Sequence, residues 1–299
     1  MRSGFVALVG RPNVGKSTLL NRLVGEKVSI TAATPNTTRH AVRGVVRRPE
    51  GQLVVVDTPG LHRPKTKLGH RLNDTALSAF HDVDAVVALV EATASIGPGD
   101  RRVLGHTLSA AAAEGCAPFV VVNKLDVARR ATVAARLLEA TAAVDALAAT
   151  HGGAAAADRV EYFAVSAATG EGVDALCDAV AAVLPEGPSW FEDGQVSDVS
   201  AHERIAELVR EQLLRHVRDE LPHSIHCRVA AYEWPVVRVD ICVERDSQKP
   251  IVIGRHGEVL KQVGIAARAQ LPEGCFLELH VVVEPHWQSR ADALDRWGY

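Results

Sequence analysis

A mostly parallel α/β sheet wrapped by helices, followed by a smaller α+β unit, is the fold that this 299-residue sequence predicts. Three observations carry the prediction. Short apolar runs alternate with helical stretches through the first 184 residues, as strands buried under helices on both faces do. A glycine-rich loop, Gly10 to Ser17, joins the first such run to the first such helix. The alternation then stops at Leu184-Pro185-Glu186-Gly187-Pro188-Ser189, where proline and glycine break both periodicities. The expected domains are residues 1–184 and 201–299, joined by a linker at 185–200.

Each element has its own signal. Phe5-Val6-Ala7-Leu8-Val9 has no polar residue to face water, so it reads as a strand covered on both sides. Further strands are expected near 41–48, 52–57, 84–90, 118–122 and 160–165. Helices are expected near 16–25, 70–81, 100–114, 129–150 and 172–184. Residues 128–157 are alanine-rich and read as a helix followed by a loose surface loop over 148–157. In the second unit, Ile205, Leu208, Val209, Leu213 and Val217 share one helical face with charges opposite. Two β-like runs follow, Ile225 to Tyr232 and Val236 to Val243. Ile251-Val252-Ile253 then leads into Gly254-Arg255-His256-Gly257, a helix over 258–270 and a strand over 275–283.

Composition narrows the class. The chain is 47% apolar and 23% charged with a net charge of −3, which suits a globular protein. Its apolar runs all fall short of the length a membrane span needs. The five apolar residues after Gly4 and its polar neighbours are too few for a secretory leader. Cys116, Cys177, Cys227, Cys242 and Cys275 lack C-x-x-C pairing, so they read as reduced core residues of a cytoplasmic protein. The 13 histidines show no metal-ligand spacing.

The chemistry begins at Gly10-Arg11-Pro12-Asn13-Val14-Gly15-Lys16-Ser17, with Thr18 continuing into the helix. In this spacing backbone N–H groups turn inward on a phosphate, Lys16 reaches the β/γ-phosphates and Ser17 can hold Mg²⁺. The bare pattern arises by chance in roughly one chain in a hundred, so its companions decide. Asn123-Lys124-Leu125-Asp126 follows the run Phe119–Val122. A carboxylate at Asp126 can accept from the N1–H and 2-amino group of guanine; adenine offers neither donor. Asp57-Thr58-Pro59-Gly60 follows Leu53–Val56, where Asp57 can anchor Mg²⁺ through water and Gly60 can donate to a γ-phosphate. Ser166-Ala167-Ala168 supplies a backbone loop against the base, and Thr37-Thr38-Arg39 offers a threonine for a switch. Each motif alone is also a good turn. In this order, each after an apolar run, they imply a GTP/GDP site. Leu61 follows Asp-Thr-Pro-Gly, and an apolar residue cannot orient an attacking water, so slow hydrolysis is expected.

The second glycine motif implies a different ligand. Glycines three apart let a backbone approach the sugar–phosphate chain of a single strand, as in KH modules. Arg255, His256 and Lys261 could then meet phosphates. From Ser197 onward there are 13 Lys+Arg against 16 Asp+Glu, which argues against broad backbone binding. Arg245, Lys249, Arg255, Lys261 and Arg268 gather near the motif, so a small local patch is expected.

These motifs, with Thr34-Pro35-Asn36-Thr37-Thr38-Arg39-His40, Asp219-Glu220-Leu221-Pro222-His223-Ser224 and the closing Trp297-Gly298-Tyr299, resemble the Era family of bacterial GTPases over nearly the whole length. The resemblance implies a P-loop GTPase domain and a type II KH domain. It also implies binding near the 3′ end of 16S rRNA and a role in maturing the 30S subunit. By the same resemblance Asn36, Thr37, Thr38, Arg39 and His40 form the first switch. Mg²⁺ would sit on Ser17 and Thr38 with Asp57 behind it, Thr38 being chosen over Thr37 by the T-T-R pattern. Asn13 resembles the asparagine that potassium-activated GTPases use, so K⁺ is an expected activator; a purely structural role in the turn is the alternative. His256, Val282 and Glu284 depart from residues common in the family, which bears on the strength of RNA binding. The resemblance further suggests a monomer in the cytoplasm, with peripheral association at the inner face of the membrane. Two other readings stand beside this one. The first is a regulatory or membrane-peripheral GTPase whose C-terminal domain binds a protein or lipid. The second is a non-catalytic assembly factor with GTP as a structural ligand.

Overall fold

The polar-free run at Phe5–Val9 needs cover on both faces, and the sheet provides it. In the computed structural model, which describes residues 1–151 and 154–299, this run lies in β1 (Arg2–Gly10). There follow α1 (Lys16–Val24), β2 (Val42–Arg48), β3 (Gly51–Asp57), α2 (Lys67–Ser78), β4 (Ala85–Glu91) and α3 (Pro98–Ala113). β5 (Ala117–Asn123), α4 (Arg130–His151), α5 (Ala154–Ala157), β6 (Glu161–Ala164) and α6 (Val173–Val183) complete the series. The strand order is β2-β3-β1-β4-β5-β6, parallel throughout except for β2, which runs antiparallel to β3. Alternate residues of β1 serve opposite layers: Val6 and Leu8 pack with Leu19, Leu20 and Leu176, while Ala7 and Val9 pack with Val103 and Leu104. Because the strands run parallel, their carboxyl ends bring Gly10, Asp57 and Asn123 to one edge of the sheet.

One expectation needs correction. The loop expected over 148–157 is largely helical: α4 runs on to His151 and Ala154–Ala157 form α5. Alanine has the strongest intrinsic helix preference, and its small side chain lets α5 pack closely, leaving Ala156 only 2% exposed. Arg159 ties the end of this stretch to α3 by donating to the Ala111 carbonyl at 2.6 Å. Gly152 and Gly153 lie outside the described residues.

The chain divides into two units by contact. The first is Met1–Ser29, Thr38–Pro64 and Gly69–Asp198; the second is Ile30–Thr37, Lys65–Leu68 and Val199–Tyr299. Within the first, the proline- and glycine-rich segment after α6 is bound along the sheet. Ser3 donates to the Pro185 carbonyl at 2.9 Å, and Val45 donates to the Val196 carbonyl at 2.9 Å. Buried Gln52 holds its middle: its Oε1 accepts from Trp190 and Phe191 N–H groups at 2.8 and 3.0 Å. Its Nε2 donates back to the Phe191 carbonyl at 3.1 Å.

The second unit comprises α7 (Ala201–Leu214), α8 (Leu221–Ser224), β7 (His226–Glu233), β8 (Val236–Val243), α9 (Lys249–Ile253), α10 (Glu258–Arg268), β9 (Phe276–Val283) and α11 (Ala291–Arg296). Its sheet has the order β7-β8-β9, with β7 antiparallel and β9 parallel to β8. Ser200 caps α7 by accepting from Glu203 N–H at 3.2 Å, while the Glu203 carboxylate reaches back to Ser200 N–H at 3.0 Å. Ile205, Val209 and Leu213 of α7 meet Val239, Ile241 and Val263 in the core. Fully buried Trp287 donates its indole N–H to the Ser224 carbonyl at 2.9 Å. Among the described residues no helix is long and apolar enough to cross a membrane.

Gln52→Ala leaves three backbone groups of the bound segment unpaired, at a cost of about 1–3 kcal/mol. Limited proteolysis between residues 186 and 198 should accelerate by roughly 10–100-fold, since each ~1.4 kcal/mol is tenfold in an opening equilibrium. An unchanged cleavage rate would show that Gln52 does not hold the segment.

Candidate nucleotide-binding site

β1 ends at Gly10 and α1 begins at Lys16, and the loop between them takes left-handed backbone at Asn13 (φ 66°) and Gly15 (φ 101°). Asn13 is exposed, Pro12 is half-buried and Val14 is buried. Lys16 is only 6% exposed, and its ammonium donates to the Gly10 and Arg11 carbonyls at 3.2 and 3.0 Å. Burial pushes its pKa down to about 8, with Asp57 pulling the other way. The Arg11 side chain instead pairs with Asp100 at 3.1 Å. Thr18 is half-buried in the first turn of α1.

The segment after β3 lies against this loop. Thr58 donates to the Leu8 carbonyl at 2.9 Å, and Pro59 is buried. A Cβ on Gly60 would stand 2.4 Å from the Pro12 nitrogen, so only glycine permits the approach. Leu61 donates its N–H to the Gly10 carbonyl at 3.1 Å and is 4% exposed. Its buried apolar side chain has no atom with which to orient a water.

Asp57 has no exposure at all. Its Oδ2 accepts from Ser17 Oγ at 2.6 Å, Ser29 Oγ at 3.0 Å and Thr38 Oγ1 at 3.1 Å. Its buried Oδ1 has no hydrogen-bond partner. Burial raises its pKa, opposed by Lys16 and by the three hydroxyls. A buried carboxylate with one bare oxygen is costly unless a cation compensates it. Hydroxyl and carboxylate oxygens are the donors that Mg²⁺ takes, so this set fits that ion. Ser17 and Thr38 hydroxyls lie 2.8 Å apart, whereas the Thr37 hydroxyl donates to the Thr34 carbonyl at 2.7 Å. Arg39 is 4% exposed, His40 is half-buried and Asn36 takes a positive φ of 60°.

At the end of β5, Asn123 links three segments. Its Nδ2 donates to the Val14 carbonyl at 2.8 Å, and its Oδ1 accepts from Ala167 N–H at 3.0 Å. Exposed Asp126 accepts from Ser166 Oγ at 2.6 Å and keeps a face open to a ligand. Lys124 pairs with Glu91 at 3.1 Å. Arg22 of α1 holds the carbonyls of Ala167 and Ala168 from beneath. Sequence reasoning missed Arg22, Ser29 and Asn21, the last of which binds the Ser29 backbone. Nothing in their local pattern sets them apart from ordinary polar surface residues.

In the second unit, Gly254 ends α9 at φ 76°, where a Cβ would meet Val259 Cγ2 at 2.5 Å. Gly257 caps α10, and His256 between them takes a positive φ of 53°. Arg255, His256 and Lys261 are exposed around this turn, with Lys261 near Glu258 at 3.9 Å. The structure therefore places Arg255 and His256 on this turn and Lys261 just beyond it in α10, with all three side chains exposed.

Lys16 gives the site a pH signature. Phosphate favours the protonated lysine, so nucleotide binding should take up a proton once the free protein passes its pKa of about 8. GDP affinity in EDTA should be level below that pH and fall above it, by up to about tenfold per unit. Lys16→Gln should bind weakly with a flat profile. A wild-type profile as flat as the variant's would contradict the Lys16 assignment.

Residues 5–124 match the family model of a 50S ribosome-binding GTPase, and residues 220–288 match that of a KH domain. GTPase Era of Mycobacterium avium (strain 104) is 43% identical over 309 residues, covering 100% of this chain and 99% of its own. GTPase Era of Mycobacterium leprae (strain TN) is 43% identical over 311 residues with the same coverage. Among solved structures, a single-site variant of Aquifex aeolicus Era bound to GDP·AlF4⁻ aligns with a TM-score of 0.87 at 32% identity, covering 100% of this chain and 99% of its own. Era in complex with MgGDPNP and nucleotides 1506–1542 of 16S ribosomal RNA aligns equally well. With motifs, fold order and full-length similarity in agreement, the chain belongs to the Era family of GTPases.

Proposed function

We propose that this protein is a slow GTPase whose KH domain binds the 3′ region of 16S rRNA and assists maturation of the 30S subunit. The observation that carries this reading is the pairing, in one chain, of the Asp57–Asp126 nucleotide site with the Gly254–Gly257 turn, whose Arg255 and His256 are exposed. A relative of the same fold holds both MgGDPNP and that RNA segment.

In this reading residues Gly10 to Thr18 wrap the phosphates, and Asp57 to Gly60 sense the third one. Asn123, Lys124 and Asp126 select guanine, with Ser166, Ala167 and Ala168 closing over the base. Ser17 and Thr38 would hold Mg²⁺ directly, with Asp57 acting through water. The ion would supply positive charge where the transferred phosphoryl group gathers negative charge. Leu61 leaves the attacking water without a side-chain partner, which accounts for a low intrinsic rate. Residues 1–184 and 201–299 are the working domains in this scheme, with 185–200 between them. The reading places the protein as a cytoplasmic monomer with peripheral membrane association.

RNA contact falls to Arg255, His256 and Lys261, with the backbone of Gly254 and Gly257 against the sugar–phosphate chain. The test is binding of a 3′-terminal 16S oligonucleotide to the full chain loaded with GDPNP or GDP. Tighter binding with GDPNP, lost on Asp126→Asn at the same GTP-analogue concentration, is expected. Asp126→Asn should lower GTP affinity at least ~100-fold, because one of the two accepting oxygens becomes an NH2 group that faces a guanine donor, and the negative charge is lost. No RNA binding in either state would favour the protein-partner reading, which the excess of acidic residues in the C-terminal unit supports.

K⁺ activation rests on Asn13, an exposed residue inside the phosphate loop. Hydrolysis should run faster in K⁺ than in Na⁺, and Asn13→Ala should abolish the difference. Equal rates in the two salts would leave Asn13 with the turn alone, which its left-handed backbone already explains.

A further inference from the structure

We propose that Asn21 and Ser29 are positioning residues for the Mg²⁺ site, acting through the Asp57 carboxylate. The inference rests on the reading of Ser17 and Asp57 given above. Asn21 lies on α1 and grips the chain just beyond that helix. Its Oδ1 accepts from the N–H groups of Val28 and Ser29, both at 2.9 Å. Its Nδ2 donates to the Ser29 carbonyl at 2.7 Å. One side chain thus fixes both backbone polar groups of Ser29, using three of the four bonds an asparagine amide can make. Little beyond the side-chain torsion is left free at Ser29. Its hydroxyl donates to Asp57 Oδ2 at 3.0 Å, in a position only 4% exposed.

The other two hydroxyls on that oxygen belong to Ser17 and Thr38, the residues proposed to hold the ion. Ser29 is not among those ligands. It is the donor that stays with Oδ2 while Ser17 and Thr38 serve the cation. Holding Oδ2 fixes the plane of the carboxylate and so the direction of Oδ1, the oxygen with no partner in the protein. Two short links, Asn21 to the Ser29 backbone and Ser29 to Asp57, therefore tie the aim of a buried anion to the first helix. Groups that orient metal-binding carboxylates in this way change metal affinity by roughly 10–100-fold when removed.

The test uses the full-length chain, the fluorescent probe mant-GDP and a MgCl₂ titration. Release of mant-GDP slows as Mg²⁺ binds, and the concentration giving half of that slowing is the readout. Ser29→Ala should raise it by ~10–100-fold, while mant-GDP affinity in EDTA stays at the wild-type value. Ser29→Thr, which keeps the hydroxyl, should restore the wild-type midpoint. Asn21→Ala should shift the midpoint in the same direction, and is read in its place if Ser29→Ala does not fold. Ser17→Ala is the control for the underlying reading. If Ser17→Ala shifts the midpoint and neither Ser29→Ala nor Asn21→Ala does, the positioning role is wrong. If Ser29→Ala weakens mant-GDP equally in EDTA, the residue is structural only, and the proposal again fails. If Ser17→Ala itself leaves the midpoint unmoved, the Mg²⁺ assignment falls and takes this inference with it.

Discussion

A carboxylate with no solvent exposure and one oxygen without a donor is the constraint around which the nucleotide site is arranged. Asp57 stands at the end of β3, and ionising it there is unfavourable unless charge or hydrogen bonds compensate. Three hydroxyls and the Lys16 ammonium provide part of that compensation. They come from separate stretches of chain: the start of α1, Ser29 in the segment after it, and Thr38 ahead of β2. Removing the carboxylate would leave these stretches without a common acceptor. The bare Oδ1 marks where further positive charge is needed.

Sheet topology makes this arrangement possible. Parallel strands deliver their carboxyl ends to one edge, so Gly10, Asp57 and Asn123 meet although they are far apart in sequence. Asn123 then links the glycine-rich loop to the Ser166–Ala168 loop through Val14 and Ala167. The cysteines take no part in this chemistry. Burial pushes the Cys116, Cys177 and Cys242 thiols up, Cys242 to about 11, so they stay neutral packing groups.

Much of this was legible in the sequence, for reasons that differ by element. Buried parallel strands must be apolar on both faces, so runs such as Val86–Val90 and Val120–Val122 announce themselves. The nucleotide motifs are legible because phosphate, Mg²⁺ and guanine each demand particular atoms at fixed spacing. What stayed hidden depends on contacts between distant residues. Gln52 looks like any polar strand residue, yet it holds Trp190 and Phe191. Ser29 and Asn21 look like surface residues, and only folding sets the Ser29 hydroxyl against Asp57 with Asn21 holding the Ser29 backbone. The alanine stretch at 154–157 misleads in the opposite sense: its blandness suggests a loop, but small side chains are what allow close helix packing.

The Asp57 carboxylate draws the end of the phosphate loop, Ser29 and Thr38 into one assembly. Amide hydrogen exchange across residues 28–42 measures this most directly, in the wild type and in Asp57→Asn, each with Mg·GDPNP and with GDP. Exchange should be slower with Mg·GDPNP than with GDP in the wild type, with no such difference in Asp57→Asn. Equal protection by Mg·GDPNP in both proteins would contradict that role of Asp57.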